Sequence, residues 1–229
     1  MSWRDFWNSE HSIYVNARHK LLHYDRIARD LAAYVPAPDA AVLDYGCGEA
    51  ISAASLAKKC GTLYLFDAAP NVREKLRSRF SDHPKIMVLS PNGLDNIGYA
   101  SLDLIIANSL LQYLQHREFE DLLDIWHGKL KPAGQLVLAD VLPPDLDAIA
   151  DVKALLDFAW RGGFLLAALA GLGKTFFSDY RRLRNDIGLT RYAPEDMFTL
   201  LAAHGFAGEQ SPTNVGHNQL RMTFVARKA

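Results

Sequence analysis

The chain has 229 residues, about half of them apolar, so it can bury a full hydrophobic core without disulfides or metal. Lys and Arg total 25 against 26 Asp and Glu, a formal net charge of −1, which argues against nucleic acid or an anionic membrane as the main partner. Its two cysteines, Cys47 and Cys60, form neither a CxxC pair nor a disulfide framework and suit a reducing cytoplasm, and no apolar run is long enough to span a bilayer.

Residues 1–38 read as helices rich in aromatics and His, ending at Val35-Pro36-Ala37-Pro38. A strand–helix alternation follows over 39–144. Ala41–Asp44, Thr62–Asp67, Ile86–Leu89, Leu102–Ala107 and Gln135–Ala139 are apolar runs with strand character. Helical stretches at Ser52–Lys59, Asn71–Phe80 and Glu118–Leu130 separate them. Continuous apolar strands joined by helices indicate a parallel sheet covered on both faces, and right-handed crossovers make it doubly wound. Ligands in such sheets sit at the carboxyl ends of the strands. That places interest on 44–50, Asp67 onward, 90–95, Asn108 onward and Asp140 onward.

The alternation breaks after Pro143-Pro144. Residues 145–191 read as an aromatic-rich helical insertion, and 192–229 as a C-terminal helix beginning near Pro194, then a closing strand at Arg221–Ala226.

Gly46-Cys47-Gly48 lies between a strand and a helix, where glycines let the backbone approach a ligand. Ile51 departs from the dinucleotide fingerprint, which wants Gly or Ala there. Asp44 ends the first strand two residues before Gly46. Asp67 ends the second strand, where it can accept hydrogen bonds from both hydroxyls of a ribose. Either acid can instead serve as a turn or helix cap. Cys47 reads as a small packing residue rather than a nucleophile.

The run Val42-Leu43-Asp44-Tyr45-Gly46-Cys47-Gly48-Glu49-Ala50 resembles motif I of class I S-adenosylmethionine-dependent methyltransferases, with Ala50 replacing the usual third glycine. Leu65–Pro70 is similar to that family's ribose-binding segment, Ser101–Asn108 to its fourth-strand motif, and Leu130–Leu136 to the turn before its fifth strand. The resemblance implies a Rossmann-like, mostly parallel seven-stranded sheet with an antiparallel last strand. It also implies S-adenosylmethionine as cofactor. Tyr45, Gly46, Cys47 and Gly48 would pass under its methionine part, Asp44 would help hold its amino group through the loop or water, Asp67 with Ala68 would hold its ribose, and Asn108 and Ser109 would line the methionine side. At the third strand the chain departs from the pattern. The acid expected near the adenine is missing, and Asn92, Gly93 and Leu94, or Asp95, are offered instead.

The resemblance places the N-terminal helices and the segment after strand five as a lid over the acceptor. On that basis Trp7, Tyr14, Gln112, Trp160, Tyr180, Arg181 and His217 are candidates for the acceptor pocket, plain helix packing being the alternative for each aromatic. The acceptor is expected to be a small molecule, apolar or aromatic. Gln112 stands roughly where the family often has a His, and Gln cannot act as a base. His217, just before the last strand, is the candidate base or acceptor ligand. His19 and His23, one turn apart, read as structural or solvated on an exposed helix face, and no metal is expected. Arg181-Arg182-Leu183-Arg184 reads as a solvated face or as a site for an acceptor anion. Phe164–Leu172 suits a buried lid or a homodimer helix rather than stable membrane association.

Overall fold

The computed structural model describes residues 3–8, 14–175 and 188–229. In chain order the elements are α1 (Trp3–Asn8), α2 (Ala17–Ala32), β1 (Ala41–Tyr45), α3 (Ala53–Ala57), β2 (Thr62–Phe66), α4 (Pro70–Phe80), β3 (Ile86–Val88), α5 (Pro91–Asp95) and β4 (Leu102–Asn108). There follow α6 (His116–Lys129), β5 (Leu130–Val141), α7 (Ala148–Gly162), α8 (Leu165–Thr175), α9 (Pro194–Ala203), β6 (Phe206–Gln210) and β7 (Met222–Lys228).

The seven strands form one sheet in the order β3-β2-β1-β4-β5-β7-β6. β1 to β5 are parallel, and β7 runs antiparallel between β5 and β6. Strand order reverses between β1 and β4, so the crevice for a ligand opens beyond their carboxyl ends, at Tyr45 and Asn108.

Alternation along the strands feeds two cores, one on each face. Leu43, Ile105, Leu136 and Leu138 pack with Phe119, Leu123 and Trp126 of α6 and Met197 and Leu201 of α9. Val42, Leu104, Ile106 and Val137 pack on the opposite face with Leu31, Leu56, Leu76 and Phe80. Helix α6 presents its apolar stripe because a reciprocal cap fixes its start: Gln115 N–H donates to Glu118 Oε2 at 3.0 Å, and the Gln115 side chain accepts from the third residue's N–H.

The expected strands and helices are present; the short helix α5 is an addition, and two strands differ from expectation. β5 begins five residues early, at Leu130, because the Lys131–Gly134 turn lies within the strand; Ala133 is left-handed (φ 61°), and a Cβ on Gly134 would lie 2.9 Å from Lys131 O. β6 is a further closing strand, expected of a seven-stranded sheet but given no position from the sequence. Its pattern is one buried residue, Phe206, followed by four exposed ones, as befits a sheet edge.

The lid segment is a small helical layer of its own. Ala159, Phe164 and Ala168 form its centre, with Val15, Leu22, Leu156, Phe158 and Leu165 packed around them. Gly163, left-handed at φ 69°, ends α7, and Arg18 Nε donates to Gly162 O at 2.5 Å, tying α2 to the end of α7. Among the described residues no helix is long and apolar enough to cross a membrane. Both cysteines are free thiols.

Candidate active site

The loop after β1 is held from below by the end of β2. Gly46 and Cys47 N–H groups donate to Phe66 O at 2.7 and 3.1 Å. Gly48 N–H donates to Asp67 Oδ2 at 3.0 Å, and Ala69 N–H to Asp67 Oδ1 at 2.8 Å. Asp67 is therefore a cap as well as a candidate ligand, one lone pair of each oxygen being used locally and one remaining. Gly46 and Gly48 are both left-handed (φ 75° and 57°), which the tight loop requires.

Non-glycine residues adopt the same conformation around this site: Ala50 (φ 41°), Ser109 (φ 55°) and Asp140 (φ 60°). Ala50 occupies the place of the third glycine and accepts the strain a glycine would avoid. Ser109 and Asp140 end β4 and β5, and Ser109 Oγ donates to Asp140 Oδ2 at 2.6 Å.

A cavity of about 530 Å3 opens over the carboxyl ends of the strands. Its wall includes Asp44, Tyr45, Gly46, Cys47, Gly48, Asp67, Ala68, Asn108 and Ser109, nine of the twelve positions expected to hold a cofactor. Burial pushes the Asp44 carboxyl up to about 7, with the charge of Asp67 adding to the shift. Burial also raises Asp67, against the pull of its two backbone donors and Arg73, and keeps the Cys47 thiol protonated. Asn108 Oδ1 is a buried acceptor with no partner among the described residues, as is Gln112 Oε1. Such orphans call for a donor that is not part of the protein. Asp44, whose buried anion an entering cation would favour, and the unpaired amide oxygen of Asn108 both line this cavity and fit an ammonium group; Asp67 fits a ribose diol.

The structure does not bring Asn92, Gly93 or Leu94 to the cavity wall. They lie in α5, whose start is capped by Ser90 accepting from Gly93 N–H at 3.0 Å; Leu94 turns into the core and Asn92 into solvent. Asp95 is likewise exposed. Trp160 is also a correction: it is 73% exposed on the outer face of α7 and does not line the cavity. Tyr14, Gln112 and His217 do line it. The side chain of Trp7, and all of Tyr180, Arg181 and the rest of the basic cluster, lie outside the described residues.

The exposed placement expected for His19 and His23 is overturned. Both face the cavity, His19 being 6% exposed, because α2 lies across the strand ends with Tyr14, His19, His23 and Tyr24 on its inner side. Sequence reasoning also missed Asp151, Asn218 and Arg221. Arg221 bridges two acids, donating to Asp140 Oδ2 at 2.7 Å and Asp151 Oδ1 at 3.2 Å, and Asn218 donates to Asp151 Oδ1 at 2.8 Å. The strand-end argument pointed to Asp140; no local pattern links it to positions 151 and 221. Among the described residues no group of three or more His, Cys, Asp or Glu is placed to hold a metal ion.

A parallel sheet with this loop, these two acids and this switch point suits a nucleoside-containing cofactor, and the comparisons with known proteins point the same way. Residues 42–134 match the methyltransferase domain family. The ribosomal protein L11 methyltransferase of Methylococcus capsulatus is 32% identical over 148 residues, 59% of this chain and 46% of that protein. An uncharacterized methyltransferase of Mycobacterium tuberculosis is 26% identical over 125 residues, 55% of this chain and 61% of that one. The chain thus spans about half the length of the curated relatives it matches.

Among solved structures, the magnesium protoporphyrin IX methyltransferase of Synechocystis with bound S-adenosylmethionine superposes with a TM-score of 0.55 at 14% identity, covering 99% of this chain and 89% of that one. The 1,6-didemethyltoxoflavin-N1-methyltransferase of Burkholderia thailandensis gives 0.56 at 18% identity, covering 99% and 82%. Both share the fold. Over residues 42–134 the chain is similar to methyltransferase domains, and it shares its fold with S-adenosylmethionine-dependent methyltransferases.

Proposed function

We propose that the chain transfers the methyl group of S-adenosylmethionine to a small apolar or aromatic acceptor held beneath α2 and α7. One observation carries this reading. One cavity is lined both by the glycine loop and Asp67 and by Tyr14, His19, His23, Tyr24 and His217, which supports a cofactor and an acceptor lying side by side in it. Its volume of about 530 Å3 lies in the range usual for small-ligand pockets, ~300–1,000 Å3.

When bound, the cofactor supplies a methyl carbon already activated on a sulfonium centre. The chain's residues do the rest. The left-handed glycines let the loop backbone lie against the ligand, the remaining lone pairs of Asp67 accept the ribose hydroxyls, and Asp44 with Asn108 Oδ1 receives the ammonium group. The acids along the wall favour a cationic sulfonium over an anionic ligand. The lid excludes water and holds the acceptor in line. The two free thiols suit a reducing, cytoplasmic setting.

The name of the first relatives favours a second reading, a protein side chain as acceptor. Incubation with methyl-labelled S-adenosylmethionine and a cell extract separates the two: label in the acid-soluble fraction supports a small molecule, and label only in precipitated protein overturns it. Calorimetric titration with S-adenosylhomocysteine and NAD tests the cofactor. Binding of NAD alone, or of neither, sinks the methyltransferase reading.

A further inference from the structure

Three imidazoles meet at the lid end of the cavity. His19 and His23 project from α2 with ring centroids 6.2 Å apart, and His217, from the loop between β6 and β7, lies 5.9 Å from His23. The outer two are clamped by aromatic rings. Phe164 stacks on His19 at 5.0 Å and 16°, and Phe158 of α7 stacks on His217 at 4.6 Å and 18°. Val15 N–H donates to His19 Nδ1 at 3.3 Å, which leaves the proton of neutral His19 on Nε2.

His23 and His217 differ from His19 in one respect. Among the described residues nothing donates to or accepts from their ring nitrogens, although both rings border the cavity. A ring fixed by stacking, with its nitrogens left free inside a cavity, is arranged for a group that enters from outside the protein.

The surrounding charges distinguish the two. Around His217 stand Asp140 at the end of β5, Asp151 on α7, Arg221 at the start of β7 and Arg26 on α2. Burial and the two arginines disfavour its cation, whereas the two carboxylates favour it. Around His23 stand His217, His19 and Arg221, all opposing its protonation, and burial carries it down to about 3. Burial, with a smaller contribution from the charge of His217, lowers His19 to about 4. Of the three imidazoles, His217 is the one with carboxylates beside it, Asp140 and Asp151, although burial holds it below the ordinary imidazole value.

A neutral amine carries its nucleophilic lone pair already and needs no base beforehand; a phenol must shed its proton as the new bond forms. We propose that His217 is a catalytic base for a phenolic acceptor, a planar ring bearing a hydroxyl, with His23 hydrogen-bonded to the same hydroxyl. This rests on the methyltransferase reading above. The phenolic O–H passes its proton to a ring nitrogen of His217. An oxygen lone pair forms the new C–O bond while the S–CH3 bond breaks, sulfur keeping that electron pair as a thioether. The His217 imidazolium, neutralised by Asp140 and Asp151, releases its proton to water after the methyl ether leaves.

The test uses the full chain saturated with S-adenosylhomocysteine and labelled with 15N at histidine, with catechol and 1-naphthol as probes. Ring resonances are assigned from His23→Gln and His217→Gln. Either phenol is expected to shift the ring nitrogens of His23 and His217 and to leave His83, near the start of β3, unmoved. With S-adenosylmethionine, His217→Gln is expected to lose ~10²–10⁴-fold in probe methylation and the acid limb of the pH–rate profile, and to keep its affinity for S-adenosylhomocysteine. The proposal is overturned if neither phenol binds, if binding moves neither ring, or if His217→Gln methylates the probe as the parent does. Absence of S-adenosylhomocysteine binding in the parent chain would instead bring down the methyltransferase reading itself.

Discussion

Replacing Asp67 by Ala tests the cofactor assignment most directly. Each carboxylate oxygen already accepts one backbone N–H, from Gly48 at 3.0 Å and Ala69 at 2.8 Å, so one lone pair per oxygen remains for a ribose hydroxyl. Hydrogen bonds to a charged group contribute ~1.5–3 kcal/mol each, and losing two amounts to ~3–6 kcal/mol. At ~1.4 kcal/mol per decade that is a loss of ~10²–10⁴ in affinity for S-adenosylhomocysteine. The same substitution frees the Gly48 and Ala69 donors, so part of the effect arises from a looser loop. Asp67→Asn separates the contributions, because its one amide oxygen keeps a backbone partner while the charge is lost; an intermediate loss of ~10-fold is expected. Calorimetric titration gives the affinities, and circular dichroism confirms that each variant is folded. A folded Asp67→Ala protein that binds S-adenosylhomocysteine within about threefold of the parent would refute the ribose assignment.

Asp44→Asn should stabilise the ligand-free protein while weakening cofactor binding. The folded-state value of Asp44 is raised from 3.8 to about 7, so the native state holds a proton that the unfolded chain gives up; stability falls as pH rises through that interval, by an upper figure of ~4 kcal/mol. The gain in Tm from Asn should then be near zero at pH 4 and full above pH 7, and equal gains at both ends would contradict the burial argument. Gly48→Ala places a Cβ at φ +57° but only 3.4 Å from Tyr24 Oη; a stability cost of ~1–2 kcal/mol with a much larger loss of cofactor affinity is expected, and comparable losses of both would mean that the loop does not touch the ligand. Arg221→Met leaves Asp140 and Asp151 facing each other without their bridge and should cost ~3–5 kcal/mol in urea unfolding. A cost below ~1 kcal/mol would show that the bridge is screened by solvent.

The sheet was legible because four of its five parallel strands, β1, β2, β4 and β5, are largely buried and appear as mostly apolar runs that meet a polar residue near the carboxyl end. Asp44, Asp67, Asn108 and Asp140 are those residues, and all four line the cavity. β6 was hidden for the converse reason: an edge strand with one buried residue has no apolar signature. The lid half of the site was hidden more deeply. His19 and His23 lie at a spacing equally natural for a solvated helix face, and only the lie of α2 across the strand ends turns them inward. Trp160 failed in the opposite sense, since an aromatic in a helical insertion signals burial only if its face of the helix meets a partner, and at 73% exposure this one does not.

The division between legible and hidden follows the chemistry of the site. The cofactor half is built from strand termini, where the fold sets one residue per strand and a local motif suffices. The far side of the cavity, which the proposal gives to the acceptor, joins α2, α7 and the β6–β7 loop through long-range packing: Phe158 on His217, Arg18 on Gly162, Arg221 between Asp140 and Asp151. Each of those contacts brings together residues from separate elements, so substitutions in the lid can remodel the acceptor pocket while the strand ends keep the same cofactor. On the proposed function, acceptor identity would be read by His23 and His217, with Phe158 stacked against His217, and a residue read alone among them gives no sign of such a role.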